Sequence, residues 1–325
     1  MFTTLLSIPL LEESRGHCTC ARFSPNGRLI AVTQLTQILI YDLQTRAIHS
    51  IIPTSHVAPI SEVAWSPDNQ CLASASDDFT IEITHLTHGC LHRLMGHTAP
   101  VISLTYNDSG NLLFTSSMDE SIKIWDTFHG AILKTISAHS ESVVSLSICP
   151  DRDSSVLASG SFDGLIRLFD TRTGHCLKTL TYDKDWKSDD GVVPISQVRF
   201  SPNGKFLLVS SFDGIVKIWD CVRGYVVRTF KPSDGESVAL KHCCGIDFLA
   251  QEGSNSEKLP TPLVVSGYET GQIYCWDSNT KELLYSSAND DLHHVNSPIM
   301  SIHCYKNLMC SLSLNGECYV WQWTP

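Results

Sequence analysis

The stretch Gly96–Asp126, GHTAPVISLTYNDSGNLLFTSSMDESIKIWD, decides how this chain is read. A Gly-His pair opens it, and an apolar strand pattern follows (Val101, Ser103, Thr105). Leu112-Leu113-Phe114 comes next, then the turn Ser117-Met118-Asp119-Glu120, and then Ile122, Ile124 and Trp125-Asp126. With Ala131–Ile136 behind it, this is one unit of four short alternating strands.

Weaker copies fill the chain. The place of Trp125 recurs at Tyr41, Thr84, Phe169, Trp219, Trp276 and Trp321, with spacings of 43, 41, 44, 50, 57 and 45 residues. A period near 40–45 ending in Trp-Asp marks a propeller blade. Seven anchors predict an all-β, seven-bladed β-propeller occupying residues 1–325 as one domain. Its blades fall near 17–52, 56–95, 97–137, 139–181, 194–231, 238–288 and 297–325. Blade seven has only three strands of its own, whereas Thr3–Ile8 belongs to no unit. Pairing residues 1–10 into blade seven closes the ring and removes an exposed edge. Two polar stretches, 183–193 and 251–262, read as surface loops.

Composition narrows the function. Hydrophobic residues make up 42% and charged ones 18%, which excludes a disordered chain. A net charge of −11 without any run of five basic residues argues against direct nucleic-acid binding. Nor does any apolar run approach the ~18–20 residues that a membrane-spanning helix needs. Residues 1–11 lack both a basic start and a cleavage site and read as part of the fold. The 13 cysteines include no C-x-x-C pair, so they are expected to be reduced thiols in the cytosol or nucleus.

Candidate chemistry centres on a recurring Ser, His and Asp: His56, Ser74 and Asp78; His97, Ser116 and Asp119; His139, Ser159 and Asp163. A hydrolase triad is the sharp reading. A set repeated from blade to blade instead predicts a hydrogen-bonded tether beside the strand-ending Trp, satisfying buried polar groups. The tether residues are then His97, Ser116, Asp119, Trp125, His139, Asp163, Asp213 and Trp219. Blades one, six and seven carry Leu35, Thr270 and Asn315 at the Asp position and are expected to be less tightly held. The histidine clusters His85/His88/His92 and His293-His294 read as surface residues rather than metal ligands. The chain is read as a non-enzyme without catalytic residues, cofactor or metal.

The whole chain resembles a WD-repeat β-propeller. Blades two to five are similar to the propeller scaffold subunits of COMPASS/MLL-type histone lysine methyltransferase complexes. ISEVAWSPDNQCLASASDD (60–78), MDESIKIWD (118–126), SFDGLIRLFDTRTGHCLKTL (161–180), VRFSPNGKF (198–206) and GIVKIWD (214–220) carry the likeness. The resemblance implies a non-catalytic nuclear scaffold that binds segments of sister subunits. Its partners would be a methyltransferase catalytic subunit, a second propeller subunit and a histone tail. The alternative is another WD-repeat adaptor, such as a ubiquitin-ligase substrate receptor or an RNA-processing subunit. Two sites are implied. One is the mouth of the central channel, where Ser61 and Asp77 match the polar half of an arginine pocket. Met118 and Gly245 stand where the family has aromatic rings, which predicts weaker arginine binding. The other is a groove between blades five and six, formed by Asn203, Phe206, Ile218 and Phe248. Replacing Phe248 with a charged residue is expected to abolish partner binding there without unfolding the protein.

Overall fold

The computed structural model describes residues 2–10, 18–181, 192–232, 241–250, 262–287 and 297–324. Its strands fall into seven antiparallel four-stranded sheets. Six are built from consecutive strands and span 21–53, 60–95, 101–137, 143–181, 195–230 and 246–286. The seventh, 299–323, takes its outer strand from the other end of the chain, Phe2–Ile8. Thr3 pairs with Gln322 and Ile8 with Cys318. Phe2 then packs edge-on against Trp323 and Tyr285, at ring-centroid distances of 4.9 and 5.1 Å. The ring is closed by the first strand of the sequence.

Short strands of alternating polarity produce these sheets because one face of each must pack on the next blade. Each hydrophobic cluster accordingly draws on two or more neighbouring blades. Leu208, Ile218 and Phe230 of blade five, for example, pack with Phe248, Val264 and Trp276 of blade six. The last two strands of every blade share an irregularity. In blade three the register shifts between Ile124 and Trp125, in blade five between Ile218 and Trp219, and in blade seven opposite Thr4 and Leu6. A bulge of this kind bends the strand and adds twist.

The innermost strands line the channel and would leave a row of backbone groups unpaired. A girdle of side chains fills that need. Leu104 N donates to Glu62 (3.1 Å), Leu146 N to Ser103 (3.1 Å), Val198 N to Ser145 (3.1 Å) and Ile246 N to Gln197 (3.2 Å). Cys304 N donates to Asp247 (2.7 Å), Ala21 N to Ser301 (3.2 Å), and the Thr19 hydroxyl to Ile60 O (2.6 Å). Each bond joins one blade to the next, so all seven interfaces are covered, and each buried backbone group so reached is satisfied. The 251–261 loop and most of the 183–193 loop lie outside the described residues, as does the His293-His294 pair.

Candidate functional site

The recurring polar set is a tether, and its geometry differs in part from the sequence expectation. In blade three His97 Nδ1 lies 2.8 Å from Asp119 Oδ2, and His97 Nε2 lies 2.8 Å from Thr115 Oγ1. The Trp125 indole donates to that same hydroxyl at 2.8 Å. A carboxylate only accepts, so Nδ1 carries the proton and Thr115 donates to Nε2. Burial depresses the His97 pKa even against the pull of Asp119. Asp119 itself, although partly desolvated, is held down at about 2 by hydrogen bonds from Ser121, His97 and Thr98. The hydroxyl is therefore not that of Ser116, whose Oγ is buried without a partner among the described residues. Successive residues of a strand face opposite sides, and Thr115, paired with Lys123 as Ser74 is with Glu82 and Ser159 with Arg167, is the residue on the side of His97.

Blades two and four follow expectation, with His56 on Asp78 and Ser74 (3.2 and 2.9 Å) and His139 on Asp163 and Ser159 (2.9 and 2.7 Å). Blade five differs at its Trp. Asp213 accepts from Ser211 and from Ile215 N within its own turn, and the Trp219 indole is buried with no hydrogen-bond partner among the described residues. Val209 stands at the place of Thr115 there and offers no acceptor. Blade seven, expected to be loose, keeps one leg of the tether: Trp321 donates to Ser311 at 2.8 Å. In blade six Glu269 takes the part of the missing Asp, accepting from the backbone of Lys241 and His242.

Across the channel lies a set of buried charges that the sequence did not single out. Glu62 accepts from Arg22, receives Ser103 at 2.6 Å, and lies 3.5 Å from Arg199 on the far side of the ring. Burial opposes ionisation of Glu62, but Arg22 and Arg199 together hold its carboxyl below the usual range. Asp247 is pushed up by burial against the attraction of Arg199, and His303 is held neutral by burial beside Arg22 and Arg199. Arg22, Glu62 and Arg199 line the cavities at both mouths of the channel and form the floor between them.

The mouth at the N-terminal ends of the inner strands is a cavity of about 210 Å³. Ser61 and Asp77 both line it, joined by a 2.9 Å hydrogen bond. Met118 and Gly245 are not among its lining residues. A side chain at Gly245 would meet the backbone of blade seven, since a Cβ there would lie 2.2 Å from Ile302 N. Packing thus forbids an aromatic ring at that position. The aromatic surface on this face lies instead at Phe162 and Phe212, the residues before the turn Asp of blades four and five, packed edge-to-face at 5.4 Å. Phe162 and Phe212 recur in the two SFDG segments, a signal that sequence reading could have used.

On the opposite face, Asn203, Phe206, Ile218 and Phe248 line one cavity of about 340 Å³. They come from a turn and two strands of blade five and one strand of blade six, and Val227, Arg228 and Asn279 complete the walls. The Asn203 side chain accepts from Ser201 and from Lys205 N, which fixes the turn at the rim. Arg228 is anchored on Asn279 O at 3.3 Å and on Val227 O at 2.9 Å. One expectation needs correction. Phe248 and Ile218 are buried and belong to the core between blades five and six, so a charged residue at 248 would disrupt folding as well as the groove. Phe206 is the half-buried member that can be changed more safely. Among the described residues no group of three or more His, Cys, Asp or Glu is arranged to hold a metal ion.

Two comparisons bear on these sites. The family model for the WD domain, G-beta repeat, matches residues 48–84, 88–126, 130–170 and 174–220. Along nearly its whole length the chain is similar to COMPASS component SWD3 of Saccharomyces cerevisiae. The two are 62% identical over 315 residues, 97% of this chain and 98% of that protein.

Proposed function

The chain belongs to the WD domain, G-beta repeat, family, and from that premise we propose that it is a non-catalytic scaffold subunit of a nuclear, COMPASS-type histone lysine methyltransferase complex. The observation that carries the reading is the groove. Four residues expected from the resemblance, spread over 46 positions from Asn203 to Phe248, converge on one cavity between two blades. A rigid ring with such a groove on one face and a closed-floored mouth on the other can hold extended segments of two different subunits. Phe206 supplies an aromatic contact and Asn203 a polar rim, the usual division at such a site.

In this reading the groove takes a segment of a sister subunit, the second propeller subunit of the complex. The channel mouth, with Ser61 and Asp77, faces the methyltransferase subunit or a histone tail. Lacking rings at Met118 and Gly245, the mouth holds an arginine less tightly than an aromatic sandwich would. The chemistry of methyl transfer belongs to another subunit, and this chain sets its arrangement.

The test is reconstitution with the sister subunits. Phe206→Glu should reduce partner binding at least tenfold while the melting temperature stays within a few degrees of wild type. Full binding by a folded Phe206→Glu variant would remove the groove from the interface.

A further inference from the structure

We propose that the outer corner of blade two, formed by Val57, Phe79 and Met95, docks a cationic polypeptide segment through an apolar side chain. The backbone brings the three together. Val57 N donates to the Asp78 carboxylate at 3.0 Å, Phe79 follows Asp78 in its turn, and Met95 pairs with Thr80, the residue after Phe79. All three are exposed, at 82%, 43% and 70%.

Single exposed apolar residues are ordinary and carry no meaning. Here the neighbouring blades provide an internal control. Blade three builds the same corner from Thr98, whose N–H donates to Asp119 at 3.1 Å, Glu120, and Ser137 paired with Ser121. Blade four builds it from Ser140 on Asp163 at 3.3 Å, Gly164, and Thr181 paired with Leu165. The turn residue is left-handed in all three blades, with φ of 72° at Phe79, 67° at Glu120 and 72° at Gly164. A backbone that accepts Glu or Gly there has no need of an aromatic ring, which is disfavoured in that conformation. Of these three blades only blade two makes all three positions apolar, and it leaves much of their surface exposed.

The charges around the corner select the partner. Asp77 is exposed two residues before Phe79, on the channel-mouth side of the same turn, and Glu120 is exposed on the next blade, within a chain of net charge −11. The nearby Arg93 guanidinium lies 3.5 Å from the Asp78 carboxylate and is offset by it. The local field is negative, so it favours Lys or Arg beside the apolar anchor and disfavours both acidic segments and a second copy of this chain.

The test uses the full chain and two synthetic peptides of 12 residues, one with Leu-Phe flanked by lysines and one with the lysines replaced by glutamates. The triple variant Val57→Thr, Phe79→Glu, Met95→Ser carries the blade-three residues, which this backbone already accommodates. Fluorescence anisotropy should show the lysine peptide binding wild type at least tenfold more tightly than it binds the triple variant, and the glutamate peptide binding neither. The variant adds negative charge, so its weaker binding isolates the apolar contact. Equal binding to both proteins, equal binding of both peptides, or no binding of the lysine peptide would each overturn the proposal. So would wild-type dimerisation in sedimentation that the triple variant abolishes, since the occupant would then be a second copy.

Discussion

Trp125 donates its indole N–H to the Thr115 hydroxyl at 2.8 Å, and in blade five the same two places hold Trp219 and Val209. Valine has the shape of threonine without its acceptor, so the Trp219 indole is buried with no hydrogen-bond partner among the described residues. The two blades therefore form a natural pair of variants for the worth of one tether bond.

Val209→Thr should stabilise the protein by about 1 kcal/mol, the net value of a hydrogen bond that satisfies a buried donor. Thr115→Val should cost about 2–3 kcal/mol, because it strands both the Trp125 indole and His97 Nε2. Denaturant unfolding of the two variants checks the pair; equal and opposite small effects would mean that the indole, not the histidine, dominates the tether.

The tether also sets an acid limit. Burial depresses the His97 pKa from its usual 6.5, so its stabilising contribution is present above that pH and is lost as the pH falls below it. Asp78 and Asp119 are held at about 2 against an ordinary 3.8, so their contributions persist above 3.8 and are lost between 3.8 and about 2. Melting temperature against pH should fall in two stages, and Asp119→Asn should shrink the lower one. A curve that stays level from pH 7 to 2 would contradict the assignment of these charges.

Glu62 is the carboxylate shared by Arg22 and Arg199 in the channel floor. Glu62→Gln leaves two buried guanidinium groups facing each other and should cost about 3–5 kcal/mol. The comparison variant Ser61→Ala, one residue away at the cavity mouth, should be nearly neutral for stability, which separates the floor from the rim.

Ring closure rests on Phe2–Ile8. Phe2 is buried between Tyr285 and Trp323, and Phe2→Ala should cost about 3 kcal/mol. Deleting residues 1–10 should lower the melting temperature much further, as the last blade would lose its outer strand. Unchanged stability of the deletion would refute closure by this strand as a source of stability.

Thiol reactivity should divide the 13 cysteines sharply. Burial pushes the Cys244 and Cys318 thiols well up, whereas Cys90, raised by partial desolvation and by Glu82, and Cys176 are exposed on outer strands. Iodoacetamide under native conditions should label Cys90 and Cys176 first and the buried set only after unfolding, read by peptide mass spectrometry.

The repeat of Trp125 and its counterparts was enough to determine seven blades, because each blade is a local unit with its own alternating strands and turns. The unpaired strand at residues 3–8 and the missing strand of blade seven likewise pointed to each other. Likeness of the blade-five and blade-six segments named the four groove residues that meet in one cavity. Only the tertiary structure decided what depends on register and on ring closure. The place of Thr115 was legible, since it precedes Asp119 by four residues as Ser74 precedes Asp78 and Ser159 precedes Asp163; its shared bonds with His97 and Trp125 were not. The Glu62–Arg199 contact joins residues 137 apart across the channel, and no local pattern encodes it. Phe248 reads as a surface anchor in the linear chain and becomes core because blade five folds against it. Short-range patterning carries strands and turns, whereas the environment of a side chain is fixed by what the closed ring brings opposite it.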